Sequence, residues 1–289
     1  IAVPVPEPGA PMAVLTSRVR QEEMRIFAAL EQRKIPYVNI DARRLHLELK
    51  TGPPPWPVVL NREISYSRAL YAGYALHHMG AVTVNPVSAI EICGDKWRTA
   101  MALQDAGLPV PRTTLALTPE AARMAGDQQG YPVVTKPLTS SWGRHVSLIP
   151  DARVMETVSE MFASFPSPQA HILCVQEPID KPDRDIRVIV IGGQAVGAMY
   201  RKSDGWRTNV ARGARPEICP LTDDIAKLAV GAAAATKAEI AGVDLLEGPS
   251  GELYVLEVNH GVEFSGFTQA TGIDVADAIV SYMLTRDTQ

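Results

Sequence analysis

Apolar residues in the first third of the chain come in short runs, separated by stretches with helical spacing. Ala13, Val14 and Leu15 form a continuous run that predicts a buried strand over 12–17. Met24, Phe27, Ala28 and Leu30 give an apolar face that predicts a helix over 21–33. Further strands are predicted over 37–40, 58–60 and 82–85, with a helix over 67–79 and a proline-rich loop over 52–57. Strand and helix alternate, so residues 12–93 read as a small parallel α/β unit. The pattern then changes. A helix over 96–106 closes at Gly107, a residue suited to the position after a helix end. Two proline-bounded segments follow, around 109–111 and 131–137. From Ile172 onward strands dominate. Runs at 186–191 and 195–200 flank Gly192-Gly193, and runs at 243–246 and 253–258 flank Gly248-Pro249-Ser250-Gly251, both hairpin signals. An alanine-rich helix over 223–237 lies between them, and a last helix covers about 275–284. The expected class is an α/β head followed by an α+β body, in two or three subdomains with a cleft between them. Residues 1–11 hold Pro4, Pro6, Pro8 and Pro11, which predicts a loose arm. The chain begins at Ile1 rather than Met, which points to processing, a tag remnant or a fragment.

Composition narrows the function classes. Of 289 residues, 46% are hydrophobic and 21% charged, enough to bury a core and exclude global disorder. A net charge of −4 weighs against a nucleic-acid partner, since phosphate contacts call for a basic chain, although a local basic patch stays open. Cys93, Cys174 and Cys219 are scattered and odd in number, so they build neither a zinc site nor a disulfide framework and favour a reducing cytoplasm. No run of 18 apolar residues predicts a membrane span, and no charged segment followed by an apolar one predicts a secretory signal. Neither a P-loop nor a glycine-rich dinucleotide fingerprint occurs.

The candidate chemistry lies late in the chain. If the second hairpin turns between Ser250 and Gly251, Asp244 lies opposite Glu257, and Asn259 shares their face. Opposed carboxylates repel, and a hard cation such as Mg²⁺ between them would relieve the repulsion. Two solvent-facing acids at a sheet edge fit the same spacing. Lys136 ends an apolar strand-like run, as either a snorkelling edge residue or a phosphate ligand. The loop Ser140-Ser141-Trp142-Gly143-Arg144-His145 suits a flap whose backbone N–H groups cover phosphates. Lys96, after Gly94-Asp95, is either a second phosphate lysine or a solvated first residue of a helix. Asp185, Arg187, Arg201, Asn209 and Arg212 each fit a surface position taken singly; together with an acid pair and two separated lysines they suggest one site. His260, beside Asn259, and the adjacent His77 and His78 are read as structural or incidental.

These segments resemble the ATP-grasp ligases, and more narrowly the RimK-like branch that contains LysX and ArgX. The resemblance rests on Gly94-Asp95-Lys96-Trp97, Pro132-Val133-Val134-Thr135-Lys136-Pro137, Ser141-Trp142-Gly143-Arg144, Gln176-Glu177 with Asp185-Ile186-Arg187, Thr208-Asn209 with Ala211-Arg212-Gly213, Asp244, and Glu257-Val258-Asn259-His260. It implies a pre-ATP-grasp α/β domain over 12–93, a lid or central domain over 94–175 and a C-terminal ATP-grasp domain over 176–289. It further implies that Lys96 and Lys136 bind nucleotide phosphates, with Lys136 also catalytic, and that the flap Ser140, Ser141, Trp142, Gly143 and Arg144 closes over them. Glu177 and the main chain around Ile179 would meet the adenine, Asp185 the ribose side, and Arg201 and Asn209 the triphosphate, with Gln176 and Arg187 also in the ATP site. Asp244, Glu257 and Asn259 would hold two Mg²⁺ ions, and Arg212 would stabilise the acyl-phosphate. The implied reaction joins the α-amino group of glutamate to the γ-carboxyl of the C-terminal glutamate of a small acidic LysW-type carrier. That carrier would call for a basic docking surface and salt-sensitive association. Ser67, Arg68, Val210, Ala211, Glu263, Gly266 and Phe267 are the implied substrate residues. In the family, Gly-Phe after the metal-binding Asn goes with glutamate and Asn-Thr or Asn-Ser with α-aminoadipate, so Gly266-Phe267 favours glutamate, the ring filling space that the longer substrate needs. A loop phenylalanine packed on the core would carry no selectivity. Ligation to another protein tail and an inactive ATP-binding scaffold are the competing readings. The family also implies a homo-oligomer, dimer or tetramer, and leaves open arginine biosynthesis against secondary metabolism.

Overall fold

A computed structural model describes residues 12–49, 52–140, 143–203 and 214–287. The first unit contains β1 (Met12–Thr16), α1 (Gln21–Gln32), β2 (Tyr37–Asp41), β3 (Val58–Asn61), α2 (Tyr66–His78) and β4 (Val82–Val84). Its sheet is parallel, in the order β2-β1-β3-β4. Met12 and Val14 of β1 face one core and Ala13 and Leu15 another, which is why the strand reads as an unbroken apolar run. The buried side of α1 differs from the expected one. Glu22, Glu23, Ile26, Ala29 and Leu30 are buried, while Met24 is exposed. Two glutamates can face inward because Arg20, Arg62 and Ser265 hydrogen-bond them there.

Next come α3 (Val87–Cys93) and α4 (Lys96–Asp105). A four-stranded antiparallel sheet follows, built from β5 (Thr113–Ala116), β6 (Val133–Pro137), β7 (Ser147–Ile149) and β8 (Leu173–Gln176) in the order β5-β8-β6-β7. Its helices α5 (Pro119–Gln129) and α6 (Ala152–Ala163) lie where the sequence reading places none. For α5 the reason is that it buries only Ala122, Ala125 and Gly126, which carry little hydropathic contrast; α6 does show an apolar face, in Val154, Met155, Val158, Met161 and Phe162. Gly126 lets the helices approach: a Cβ there would lie 2.8 Å from Met155 Cε. Each helix is capped by a side-chain oxygen, from Thr118 to the Ala121 N–H and from Asp151 to the Val154 N–H.

The last sheet is five-stranded and antiparallel. It consists of β9 (Arg184–Ile191), β10 (Gln194–Lys202), β11 (Arg215–Cys219), β12 (Ile240–Glu247) and β13 (Leu253–Asn259), in the order β11-β10-β9-β12-β13. Gly192 and Gly193 take φ of 57° and 77° and join β9 to β10, the two-residue turn that the sequence signals. One face of the sheet is covered by α7 (Asp223–Ala235), through Ala229, Ala232 and Ala233. The other face is divided. At one end Ile189, Ile191 and Met199 share a core with α1, the parallel sheet, α8 (Ser265–Thr271) and α9 (Val275–Asp287). At the other end the same face carries charges and borders a cavity. Asn85 fastens the first unit to the sheet. Its Nδ2 donates to the Ile240 and His260 carbonyls at 2.6 and 2.7 Å, and its Oδ1 accepts from the Glu239 and Ile240 N–H groups at 2.7 and 2.8 Å. Among the described residues no helix is long and apolar enough to cross a membrane.

Candidate active site

The cavity has a volume of about 1330 Å³ and takes walls from all three units: Arg62 beyond β3, Lys136 on β6, and Arg187, Arg201 and Asp244 on the five-stranded sheet. Strand alternation explains which charges meet there. Ile186, Val188 and Val190 of β9, and Ala241, Val243 and Leu245 of β12, face the α7 side. Asp185, Arg187 and Asp244 therefore face the opposite way. Register then pairs them. Arg201 lies across from Asp185, and Asp244 across from Arg187. Arg201 donates from Nε and Nη2 to Asp185 at 2.6 and 2.7 Å, and its Nη2 lies 2.9 Å from Asp244 Oδ2. Arg187 reaches Asp244 through both Nε and Nη2, the latter at 2.8 Å. Two acids and two arginines thus alternate across three neighbouring strands, all buried. Burial pushes the Asp244 carboxyl upward, but the charges and hydrogen bonds of Arg187 and Arg201 outweigh it and hold the group below the usual carboxylate range. Burial likewise pulls Arg201 downward, and the carboxylates of Asp244 and Asp185 more than reverse it.

Glu257 lies directly opposite Asp244, as the sequence predicts. The hairpin is irregular just beyond: Leu245 pairs with Val255, so Leu256 is an extra residue on β13. That bulge turns Val255 into the α7-side core while Leu256, Glu257 and Asn259 line the cavity. The relief of carboxylate repulsion differs from the expected one. Asp244 is neutralised by two arginines, and Glu257 lies in the field of Lys136. A hard cation still fits the remaining donors. Glu257 Oε1 accepts from Asn259 Nδ2 at 3.2 Å, and no hydrogen bond from the described residues reaches Glu257 Oε2 or Asn259 Oδ1. Oxygen-only donors of this kind suit Mg²⁺, with Asp244 the most constrained of the three.

Lys136 is buried and donates to Gln176 Oε1 at 2.5 Å. Burial pulls its ammonium down to about 8, against the upward pull of Glu257. Lys96 opens α4, whose first turn is capped by Asp95 accepting from the Trp97 and Arg98 N–H groups. Its Nζ donates to the Ser140 carbonyl at 2.9 Å, so it faces the loop rather than solvent. Burial pushes the Cys93 and Cys174 thiols up to about 12 and about 11, which removes them as nucleophiles at neutral pH.

The other expected site residues divide into three groups. Ser140, Gly143, Arg144, Glu177 and Ile179 line the cavity, as do Ser67, Glu263 and Gly266. Glu177 Oε1 is engaged by the Arg112 N–H at 2.7 Å, and Glu263 by Arg20 at 3.1 Å. Phe267 and Arg68 do not line it. Phe267 is fully buried in the core shared with α9, in space that Gly197 leaves open: a Cβ on Gly197 would lie 3.0 Å from Phe267 Cζ. The ring therefore does not fill substrate space as expected; only Gly266 before it reaches the cavity. Arg68 instead bonds Glu63 at 2.9 Å. Ser141, Trp142, Asn209, Val210, Ala211 and Arg212 lie outside the described residues. Sequence reading passed over Arg20, Glu22, Arg62 and Glu63, which line the cavity at the carboxyl ends of β1 and β3. The sheet order diverges there, β1 leading to β2 on one side and to β3 on the other. Such a switch point is where open α/β sheets bind ligands, and it was the available signal.

Known proteins define the class. Residues 12–92 match the LysX preATP-grasp domain, and residues 93–283 match the RimK-like ATP-grasp domain. The chain belongs to the RimK-like ATP-grasp family. It is 35% identical over 274 residues to a protein named glutamate–LysW ligase ArgX from Sulfolobus acidocaldarius, spanning 94% of this chain and 97% of that one. It is 30% identical over 224 residues to the α-aminoadipate–LysW ligase LysX of Sulfurisphaera tokodaii, spanning 77% of this chain and 79% of that one. The crystal structure of a RimK domain protein ATP-grasp from Sphaerobacter thermophilus shares the fold, with a TM-score of 0.79 and 24% identity over 94% of this chain and 99% of that one.

Proposed function

We propose that the protein is an ATP-dependent carboxylate–amine ligase that joins glutamate, through its α-amino group, to the terminal γ-carboxyl of a LysW-type carrier. The observation that carries this reading is the three-walled cavity in which Lys136 and Lys96 face the Asp244, Glu257 and Asn259 oxygens. Lys96 and Lys136, from separate elements, converge as a clamp for phosphate oxygens. In this reading, negative phosphate beside Lys136 stabilises the charge that burial disfavours. Glu257 and Asn259, with Asp244, would hold Mg²⁺, two ions by resemblance, which supplies charge neutralisation along the transferring phosphoryl group. Arg187 and Arg201 hold the Asp244 carboxylate in one orientation. By resemblance, Arg212 stabilises charge on the acyl-phosphate. The carrier carboxylate takes the γ-phosphoryl group of ATP and ADP leaves; the amine then attacks the acyl carbon and displaces phosphate, giving the amide. Gly143 and Arg144, bordering the cavity, belong to a flap that excludes water from that step.

Glutamate is favoured over α-aminoadipate because the similarity to the relative named glutamate–LysW ligase is higher and spans more of both chains. Incubating the protein with ATP, Mg²⁺, glutamate and a LysW-type carrier, then weighing the carrier, tests the reading. A gain of one glutamyl residue with equimolar ADP supports it. Preference for α-aminoadipate overturns the substrate, and ADP release only with another protein overturns the carrier.

A further inference from the structure

Two adjacent side chains beyond β3 keep polar atoms unused. Arg62 is buried at 3% exposure. Its Nε donates to Glu23 Oε1 at 2.9 Å and its Nη1 to the Val262 carbonyl at 2.9 Å, and its Cζ lies 6.0 Å from the centre of the Phe264 ring. Its Nη2 has no partner among the described residues. Glu63, at 4% exposure, gathers its bonds on one oxygen. Oε1 accepts from Ser17 Oγ, the Ser65 N–H and two Arg68 N–H groups. Its Oε2 is buried and has no hydrogen-bond partner among the described residues.

A guanidinium nitrogen and a carboxylate oxygen left bare in one wall are costly unless something else supplies the bonds. Charge points the same way for Arg62. The one carboxylate it pairs with among the described residues, Glu23, is shared with Arg20, which binds it through Nε and Nη2 at 3.0 and 2.9 Å. Two arginines thus divide one buried acid. Both unused atoms belong to residues lining the cavity, at the β1/β3 switch point.

We propose that Arg62 and Glu63 bind the main-chain zwitterion of the free amino acid substrate. Arg62 Nη2 donates to the α-carboxylate, and Glu63 Oε2 accepts from the α-amino group that becomes the nucleophile. This inference rests on the ligase reading above and deepens it. A cation and an anion from adjacent residues match a carboxylate and an amine on one carbon. They leave the substrate's side chain to be read elsewhere, so the pair recognises an α-amino acid as such. Arg20 and Glu23 act as positioning residues, holding the guanidinium by its other edge.

Steady-state kinetics with the full chain, ATP, Mg²⁺ and a LysW-type carrier separates the substrate's polar groups. Glutamate, its α-amide and its γ-amide are compared in wild type, Arg62→Met and Glu63→Gln. Wild type is expected to show a KM for the α-amide at least 100-fold above that for glutamate. Arg62→Met is expected to raise the glutamate KM about 100-fold, bringing it within threefold of the α-amide value, with the KM for ATP within threefold of wild type. Glu63→Gln is expected to raise the KM of all three amino acids about tenfold. An unchanged ratio of α-amide to glutamate in Arg62→Met overturns the assignment. So does collapse of the γ-amide ratio instead, or a raised KM for the carrier alone. If Arg62→Met does not fold, Arg62→Lys keeps the charge without the fork, and the wild-type α-amide ratio still decides: equal KM values overturn the proposal. If the wild type ligates no amino acid to any carrier, the ligase reading has failed. Calorimetric titration of glutamate then judges the pair by itself, since equal binding to wild type and Arg62→Met overturns it.

Discussion

Two polar interiors lie within the same molecule and differ in how completely they are closed. Around Asn85, and across Asp185, Arg201, Asp244 and Arg187, donors and acceptors are matched on the spot. Around Arg62, Glu63 and Lys136 the matching among the described residues stops short: two atoms have no partner, and the Lys136 ammonium has one neutral amide oxygen at 2.5 Å. The closed group joins strands and units. Both border the cavity: the open group leaves polar atoms unused there, whereas Asp185, Arg187, Arg201 and Asp244 of the closed group line it with their bonds matched. A buried polar network that satisfies itself stabilises a unique arrangement, whereas one that does not is held in readiness for a ligand. Disturbing the first should therefore register in stability, and disturbing the second in binding and turnover.

The largest effect is expected from breaking the closed charge lattice. Asp185→Asn removes the carboxylate that Arg201 grips through two hydrogen bonds and leaves a surplus buried positive charge. Loss of one member of a buried ion pair costs about 3–5 kcal/mol. Urea denaturation should show that loss, and a change below about 1 kcal/mol would mean the lattice is not closed in the sense argued. Asn85→Ala comes next. It strips four hydrogen bonds and leaves two carbonyls and two N–H groups at the junction without their partner. The expected cost is about 2–4 kcal/mol in denaturant, from unsatisfied groups at about 1–3 kcal/mol each with partial relaxation.

The contrast also explains what the sequence disclosed. The parallel head, the Gly192-Gly193 turn and the facing of Asp244 and Glu257 were legible because each depends on local period or mirror symmetry about a turn. The last of these succeeded by an instructive route. The body of that hairpin is centred on Ser250, and the bulge at Leu256 restores the assumed pairing just where the two acids meet. The partners of Arg187 and Arg201 were not legible, because they follow from β9 lying between β10 and β12. The helix α5 was missed for want of apolar contrast, whereas α6 was legible, with Val154, Met155, Val158, Met161 and Phe162 at helical spacing, and was passed over. Phe267 was misplaced because a phenylalanine beside a cavity glycine reads alike whether it faces substrate or core. Arg62 and Glu63 gained meaning only from their place at the switch point.

In the open group, Lys136→Met is expected to lower ligation at least 100-fold while raising the stability of the ligand-free protein. The sign follows from the direction of the shift. The Lys136 ammonium sits at about 8 in the folded protein, below its ordinary 10.5. At neutral pH it is charged in both folded and unfolded states, so the folded state carries the full burial penalty, on the order of 3 kcal/mol. As pH rises from about 8 towards 10.5 the folded protein releases the proton first, and the wild type gains stability that the methionine variant does not. Melting curves of both proteins between pH 7 and 10.5 should converge. A gap that stays constant with pH would show that Lys136 already has a full partner and belongs with the closed group.

The smallest effect is expected at Arg68, and it tests where the boundary between the groups runs. Arg68 touches Glu63, but only at Oε1, the oxygen that Ser17 Oγ and the Ser65 N–H also serve, and its own side chain is 48% exposed. An ion pair so placed is worth at most about 1 kcal/mol. Arg68→Ala should therefore shift stability by less than about 1 kcal/mol and leave the KM for glutamate within threefold of wild type. Glu63→Gln and Arg68→Ala alter the same carboxyl group from opposite sides. If the arginine variant raised the KM as much as the glutamine variant, the bare oxygen would owe its position to Arg68 rather than to the Ser65 turn. The open group would then extend outward to the surface of α2.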